Sequence, residues 1–283
     1  MGVALEADVR TIRTTRGPVR VRDTGGQGQP VLLVHSLLLD GGLYDRLRPL
    51  LVAQGFRCVV PDLPLGAHAE PMLPSADLSP HGLAELLTEV LDALGLDQVD
   101  VVGVDTGGAL AQLLMAYHRD RVARVVLTAC DAYEAFPPAG LKFLLAPLRP
   151  AAGSWLLAQA ARWRPVRRLA VSRPLTHAGV PDALAARWTA PLLNPAIRRD
   201  LRAVLRGMSG AVTLAAAEAN RDFPRPVLIA WGEDDRLFPR RLGERLAADL
   251  PHARLVDLPD CAAFAALDQP ELLAELIGQA LAA

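Results

Sequence analysis

Asp105 stands alone as a carboxylate in the run Gly103-Val104-Asp105-Thr106-Gly107-Gly108, between an apolar stretch and a helical one. This is the G-x-Nuc-x-G pattern, in which a strand turns sharply into a helix and projects one side chain above the sheet's carboxyl edge. A carboxylate held there can attack carbon as a nucleophile or move a proton as a general acid or base. Asp131 in Cys130-Asp131-Ala132-Tyr133-Glu134 and Asp235 in Trp231-Gly232-Glu233-Asp234-Asp235 also follow apolar runs, and a fold that brought both strand ends beside the elbow would bracket Asp105 with them. Crowded carboxylates raise one another's proton affinity, which would leave Asp105 protonated near neutrality and able to act as an acid. By itself a G-x-D-x-G is weak, and an aspartate that merely caps the helix opened by Gly107 is the competing reading.

The elements that must carry these residues are legible from periodicity. Val31–His35, Cys58–Val60, Val99–Val104, Arg124–Thr128, Pro226–Trp231 and Ala253–Leu258 read as buried parallel strands. Val9–Thr14 and Val19–Asp23 flank Thr15-Arg16-Gly17 as an antiparallel hairpin. Amphipathic helices are expected from Ser79-Pro80 to about Leu94, and over Gly107–His118, Arg240–Leu250 and Pro270–Leu281. The alternation predicts an α/β fold, a mostly parallel twisted sheet of about eight strands with helices on both faces. Residues 133–221 break the rhythm with prolines, apolar helical stretches such as Trp155–Trp163 and no convincing strand. They read as a helical cap inserted into a core formed by 1–132 and 222–283.

Composition bounds the rest. The 283 residues are 51% hydrophobic, enough for one large core. The formal net charge is −1, which argues against nucleic acid or an anionic membrane as partner of the whole molecule. That charge is unevenly spread: 133–221 carries thirteen Lys+Arg against four Asp+Glu, or +9, leaving −10 for the remainder. A basic cap could steer an anionic substrate, although solvated helix faces are the simpler explanation of the charge. Cys58, Cys130 and Cys261 form no CxxC and sit in apolar runs, which suits buried thiols in a reducing cytoplasm. The first eight residues lack the basic start and apolar run of a secretory signal, and no apolar run reaches the length of a membrane span. No P-loop, dinucleotide-fold or metal-ligand spacing is present, so no cofactor is expected. The expected partner is a small-molecule substrate, with monomer and homodimer both open.

Taken together, these segments resemble the α/β-hydrolase superfamily over essentially the whole chain. Val31-Leu32-Leu33-Val34-His35 is similar to the strand before the oxyanion loop, and Pro61-Asp62-Leu63-Pro64-Leu65-Gly66 to the loop after the next strand. The Trp231–Asp235 run matches the G-x-x-D that carries the acid. Leu258-Pro259-Asp260-Cys261 with Asp268-Gln269-Pro270-Glu271 matches the surroundings of the catalytic histidine. An aspartate at the elbow is similar to the haloalkane dehalogenase and epoxide hydrolase branch, where the resemblance implies an ester intermediate on that carboxylate. It also implies an oxyanion hole from the backbone N–H groups of Leu37 and Thr106.

The chain departs from that pattern where hydrolysis needs it. The position expected for the histidine is Ala263, in Cys261-Ala262-Ala263-Phe264, so the base that would activate water is missing. Thr106 replaces the tryptophan that dehalogenases use as a halide donor, and the oxyanion loop reads His35-Ser36-Leu37-Leu38 without asparagine or glycine. Only Tyr133 is available where epoxide hydrolases use two cap tyrosines. The Asp105-Thr106-Gly107-Gly108, Pro64-Leu65-Gly66-Ala67-His68 and Asp131-Ala132-Tyr133-Glu134 segments resemble a bacterial subgroup that lacks the late histidine as well. Among the six histidines, His68 is the candidate substitute base, because its loop follows a strand two positions from the nucleophile strand, roughly 10 Å away. Asp40 is a weaker candidate of the same kind. Ser36, Leu38, Tyr133, Trp155, Ala263 and Phe264 are expected to line the pocket, and Trp155, Trp163 and Trp188 to pack the cap's core.

Three functions follow. The first is an enzyme that uses Asp105 without completing ordinary hydrolysis: a lyase, isomerase, dehydratase or cyclase working on a small, largely apolar molecule. The second is a dehalogenase- or epoxide hydrolase-like hydrolase with a substitute base. The third is a ligand-binding protein that kept the fold and lost the chemistry.

Overall fold

Eight runs of β-branched and apolar residues pair into one sheet in the order β1-β2-β4-β3-β5-β6-β7-β8. The strands are β1 (Asp8–Thr14), β2 (Gly17–Asp23), β3 (Pro30–Val34), β4 (Arg57–Pro61), β5 (Val99–Asp105), β6 (Val122–Cys130), β7 (Val227–Gly232) and β8 (Ala253–Leu258). This is a computed structural model, and it describes residues 8–170 and 175–282. The expected absence of a secretory signal therefore falls almost wholly outside the described residues.

β1 and β2 form the antiparallel hairpin, with Thr14 opposite Gly17, and β2 joins the rest antiparallel to β4. The remaining pairs are parallel. β5 and β7 are buried at every residue, as strands covered by helices on both faces must be. β6 runs two residues beyond its expected end, to Cys130, and so carries Asp131 up to the tip of the sheet. This is the α/β-hydrolase fold.

The segment between β6 and β7 holds only helices among its described residues, and most of it lies over the carboxyl edge of the sheet. Two buried ties fasten it to the core. Asp40 accepts hydrogen bonds from Arg187 Nη2 and Trp188 Nε1, both at 2.8 Å. Asp200 accepts one from the Met72 amide at 2.9 Å and faces His68 Nε2 at 3.2 Å. The last helix of the segment, Gly210–Ala219, behaves differently. It packs against the core helix Thr106–Tyr117, where Asn220 Nδ2 donates to the Gln112 carbonyl at 2.9 Å. Among the described residues, no helix is long and apolar enough to cross a membrane.

Candidate active site

β5 runs without a break into the helix Thr106–Tyr117, and the junction residue Asp105 has φ 52° and ψ −124°. A non-glycine residue pays for such a conformation with strain, which persists only where its surroundings fix it. Two close approaches do so here. A Cβ on Gly107 would meet the Val34 carbonyl oxygen at 2.1 Å, and one on Gly108 would meet Cys130 Cβ at 2.3 Å. Only glycine lets the helix's first turn press so tightly against β3 and β6. Asp105 makes no capping hydrogen bond to the helix it precedes, so the capping reading fails and the carboxyl is free for the cavity.

That carboxyl is buried among hydroxyls and another acid. Ser36, at the tip of β3, donates from Oγ to Asp105 Oδ2 at 2.6 Å. Thr106 Oγ1 lies 3.4 Å from Asp105 Oδ1 and 3.2 Å from Asp131 Oδ2, bridging the two acids. The Asp131 amide donates to the Asp105 carbonyl at 3.3 Å, which fixes the spacing of the two strand ends. Asp131 is fully buried, and its Oδ1 has no hydrogen-bond partner. Burial raises the proton affinity of Asp105, opposed chiefly by the Ser36 hydroxyl that donates to it. Burial and then the charge of Asp105 raise Asp131 further. Two buried carboxyls joined through one hydroxyl resist ionising together, so each favours the protonated form of the other.

Asp235 is close enough to feel the charge of Asp105 but is not among the described residues lining the cavity. Its Oδ1 accepts from the amides of Leu237 and Phe238 at 2.7 and 3.0 Å, while Oδ2 is unpartnered. Burial pushes its carboxyl up from 3.8 to about 6, with the Asp105 charge contributing and the two amide bonds opposing. The protonated form thus favours the folded chain. Its stabilisation is complete below the unfolded value near 4 and is lost as pH rises through 6. Unfolding free energy should accordingly fall by on the order of 2–3 kcal/mol between pH 4 and 7. Urea titrations across that range check it: Asp235→Asn keeps the amide bonds and should flatten the slope, and an unchanged slope would remove Asp235 as its source.

The space above Asp105, its mouth included, measures about 910 Å³. Ser36, Leu37, Leu38, Asp105, Thr106, Asp131 and Phe264, all singled out from the sequence, line its floor and sides. Cap residues Leu141, Leu145, Leu157, Ala161, Trp188, Leu192 and Met208 close it from above, and Arg167 is the one cation among the described lining residues. Sequence reasoning missed most of these. The i, i+4 pairs Leu141/Leu145 and Leu157/Ala161 were the available signal, each marking the inward stripe of a short helix.

Several expected site residues lie elsewhere. His68 is buried between the Gly66 amide, 3.4 Å from Nδ1, and Asp200, 3.2 Å from Nε2, so it ties core to cap and does not line the cavity. Asp40 is likewise a tie. Tyr133 turns away: its hydroxyl donates to Asp249 Oδ2 at 2.9 Å, and Arg245 stacks on its ring 3.7 Å from the centroid. Trp155 and Trp163 are exposed on the outside of the cap, and of the three cap tryptophans only Trp188 is buried and faces the cavity. Ala263 is buried without lining it, next to Phe264, which does.

The other five histidines are also placed away from Asp105. His35 accepts the Leu63 amide on Nε2 at 2.9 Å and meets the Ser36 carbonyl through Nδ1 at 2.8 Å. His81 packs on Tyr117, His118 ends the helix after the elbow, His177 faces Asp234 at 3.2 Å, and His252 is exposed. Among the described residues, no histidine lines the cavity.

Comparison with known proteins agrees with this frame. The model of the alpha/beta hydrolase fold family matches residues 29–270. Haloalkane dehalogenase 2 of Mycobacterium tuberculosis is 30% identical over 281 residues, covering 95% of this chain and 93% of that protein. The 2-hydroxymuconate semialdehyde hydrolase of Pseudomonas putida is 28% identical over 265 residues, covering 91% and 88%. Among solved structures, a haloalkane dehalogenase from Bradyrhizobium elkani superposes with a TM-score of 0.80 at 19% identity, covering 97% of this chain and 98% of that one.

Proposed function

The chain belongs to the α/β-hydrolase superfamily, of the haloalkane dehalogenase and epoxide hydrolase type, and on that premise we propose a non-hydrolytic enzyme of the lyase, isomerase, dehydratase or cyclase kind. Its substrate is a small, largely apolar molecule. The observation that carries this reading is the bridged carboxyl pair Asp105–Asp131 at the floor of an apolar cavity with no imidazole among its described lining residues. Ala263 stands at the position where the resemblance puts the water-activating histidine, and a methyl group cannot take a proton from water.

Asp105 is the working group because it combines elbow geometry with a partner that holds a proton. Its carboxylate accepts a proton from one substrate atom and returns a proton to another, while Asp131 keeps the pair supplied. The pair finishes with the single proton it began with, so the cycle needs neither added water nor a cofactor. Ser36 Oγ–H steadies the carboxylate through Oδ2. The amides of Leu37 and Thr106 are the candidate donors to a substrate oxygen that gains charge. Apolar walls strengthen each of these interactions by keeping water out.

The test follows the origin of the atoms in the product. Wild-type protein is incubated with a panel of small apolar alcohols, ketones, epoxides, esters and haloalkanes in water labelled with deuterium and oxygen-18. Rearranged or cyclised products that carry solvent deuterium, or elimination products, formed without solvent oxygen and dependent on Asp105, support the reading. Sustained turnover that puts oxygen-18 into a diol, acid or alcohol overturns it.

One observation favours a second reading, a hydrolase of the dehalogenase type: the 30% identity to haloalkane dehalogenase 2 along nearly the whole chain. Without an imidazole, attack by Asp105 on a haloalkane would stop at the ester. A substitute base would instead carry the reaction through to released halide, whereas its lack leaves one stable adduct per chain in the intact-protein mass; neither halide nor adduct across the panel would exclude this reading.

A further inference from the structure

The five most exposed large apolar side chains among the described residues all fall within one stretch of 21 residues: Phe143 at 85%, Trp163 at 72%, Leu144 at 67%, Leu156 at 59% and Trp155 at 50%. They sit on the helix Ala139–Leu145, on the helix Ala151–Ala160 that packs against the intervening turn, and just after its end. Scattered single exposures are ordinary on a soluble protein, whereas a concentration of aromatic and leucine side chains marks an interaction surface.

The charge around this stretch is equally one-sided. Residues 135–181 contain seven Lys+Arg and no Asp or Glu. Lys142, Arg149, Arg162 and Arg164 are interleaved with the exposed apolar residues, and only Arg164 among them has a carboxylate partner, Asp182, which lies beyond the stretch. The overall charge of −1 conceals this, because the acidic excess lies on the core. Exposed tryptophan, phenylalanine and leucine beside cations that outnumber the nearby anions are what the headgroup layer of an acidic bilayer accepts. A second copy of the chain would bring the same positive charge to the contact, which disfavours self-association through this face.

We propose that this outer face of the cap docks on a lipid surface bearing anionic headgroups. The same two helices turn Leu141, Leu145, Leu157 and Ala161 inward to line the Asp105 cavity. Docking therefore sets the roof of the cavity against a phase in which small apolar molecules concentrate. The proposal stands on exposure and charge, independently of which reaction Asp105 performs.

Co-sedimentation of the full chain with vesicles tests it. Phosphatidylcholine vesicles containing about 30 per cent phosphatidylglycerol should bind at least tenfold more tightly than pure phosphatidylcholine. Binding should weaken at least tenfold in roughly 0.5 M salt, which screens the headgroup charge. Phe143→Ser with Trp163→Ser, and separately Arg149→Gln with Arg162→Gln, should each weaken it about tenfold while leaving the unfolding midpoint unchanged. Failure of the wild type to bind acidic vesicles, or binding indifferent to both double variants, overturns the proposal. A dimer in sizing experiments that the Phe143→Ser, Trp163→Ser variant dissociates would give the face to a second copy and overturn it equally.

Discussion

Asp105→Asn should lower the rate of the catalysed proton transfer by about 10²–10⁴-fold while leaving substrate affinity within about threefold. Asparagine keeps the volume at the elbow and an oxygen to accept the Ser36 hydroxyl, now 2.6 Å from Asp105 Oδ2. It cannot take or release a proton at any accessible pH. The strained backbone of residue 105 is imposed by Gly107, Gly108 and the strands around them, so the fold should survive. The loss should therefore lie in kcat. Asp131→Asn is the companion measurement. It leaves the elbow carboxylate in place and removes the proton reserve, so its loss should be smaller and its pH–rate profile should differ in shape, since the pair titrates as a unit. An Asp105→Asn protein that retains full rate would remove Asp105 from the chemistry.

The second large effect belongs to a residue that touches no substrate. Asp40→Ala should destabilise the protein by about 3–5 kcal/mol, measured by urea unfolding. Asp40 is buried, caps the short helix Gly41–Tyr44 through the Gly42 amide, and receives Arg187 Nη2 and Trp188 Nε1 on the same oxygen. Burial would raise its pKa, but the hydrogen bond and charge of Arg187, with Arg22, lower it overall, so it carries charge in the folded state. Truncation leaves the fully buried Trp188 indole N–H without an acceptor and Arg187 without its nearest anion. Because Trp188 lines the cavity, activity should suffer along with stability. Asp40→Asn keeps an oxygen for the indole and should cost distinctly less. A loss of under about 1 kcal/mol in Asp40→Ala would mean that the cap is fastened elsewhere.

The frame was legible in the sequence because burial leaves a local signature. Val99–Val104 is apolar on both faces except at Asp100 and ends in Gly103-Val104-Asp105-Thr106-Gly107, so strand, turn and protruding carboxyl could be read as one unit. Asp131 could be placed because the end of β6 carries an equally apolar run. What escaped was everything decided across distance. His68 and Asp200 are 132 residues apart, and no local pattern indicates that they meet. Tyr133 has the right type for a pocket, yet Asp249 and Arg245 hold its ring on the far side. Trp155, Trp163 and Trp188 look alike in sequence, and only packing separates the one that is buried from the two that are not.

The return of the chain through the helix Gly210–Ala219 has an evolutionary consequence. That helix completes an ordinary strand-helix-strand link between β6 and β7, so everything from residue 131 to about 208 is an excursion within a connection that would close without it. Lengthening such an excursion costs only about 0.6 kcal/mol per doubling. The roof can thus be recut, regrown or exchanged between relatives while the acid pair below keeps its bearings, which lets selection alter what is admitted separately from what is done to it.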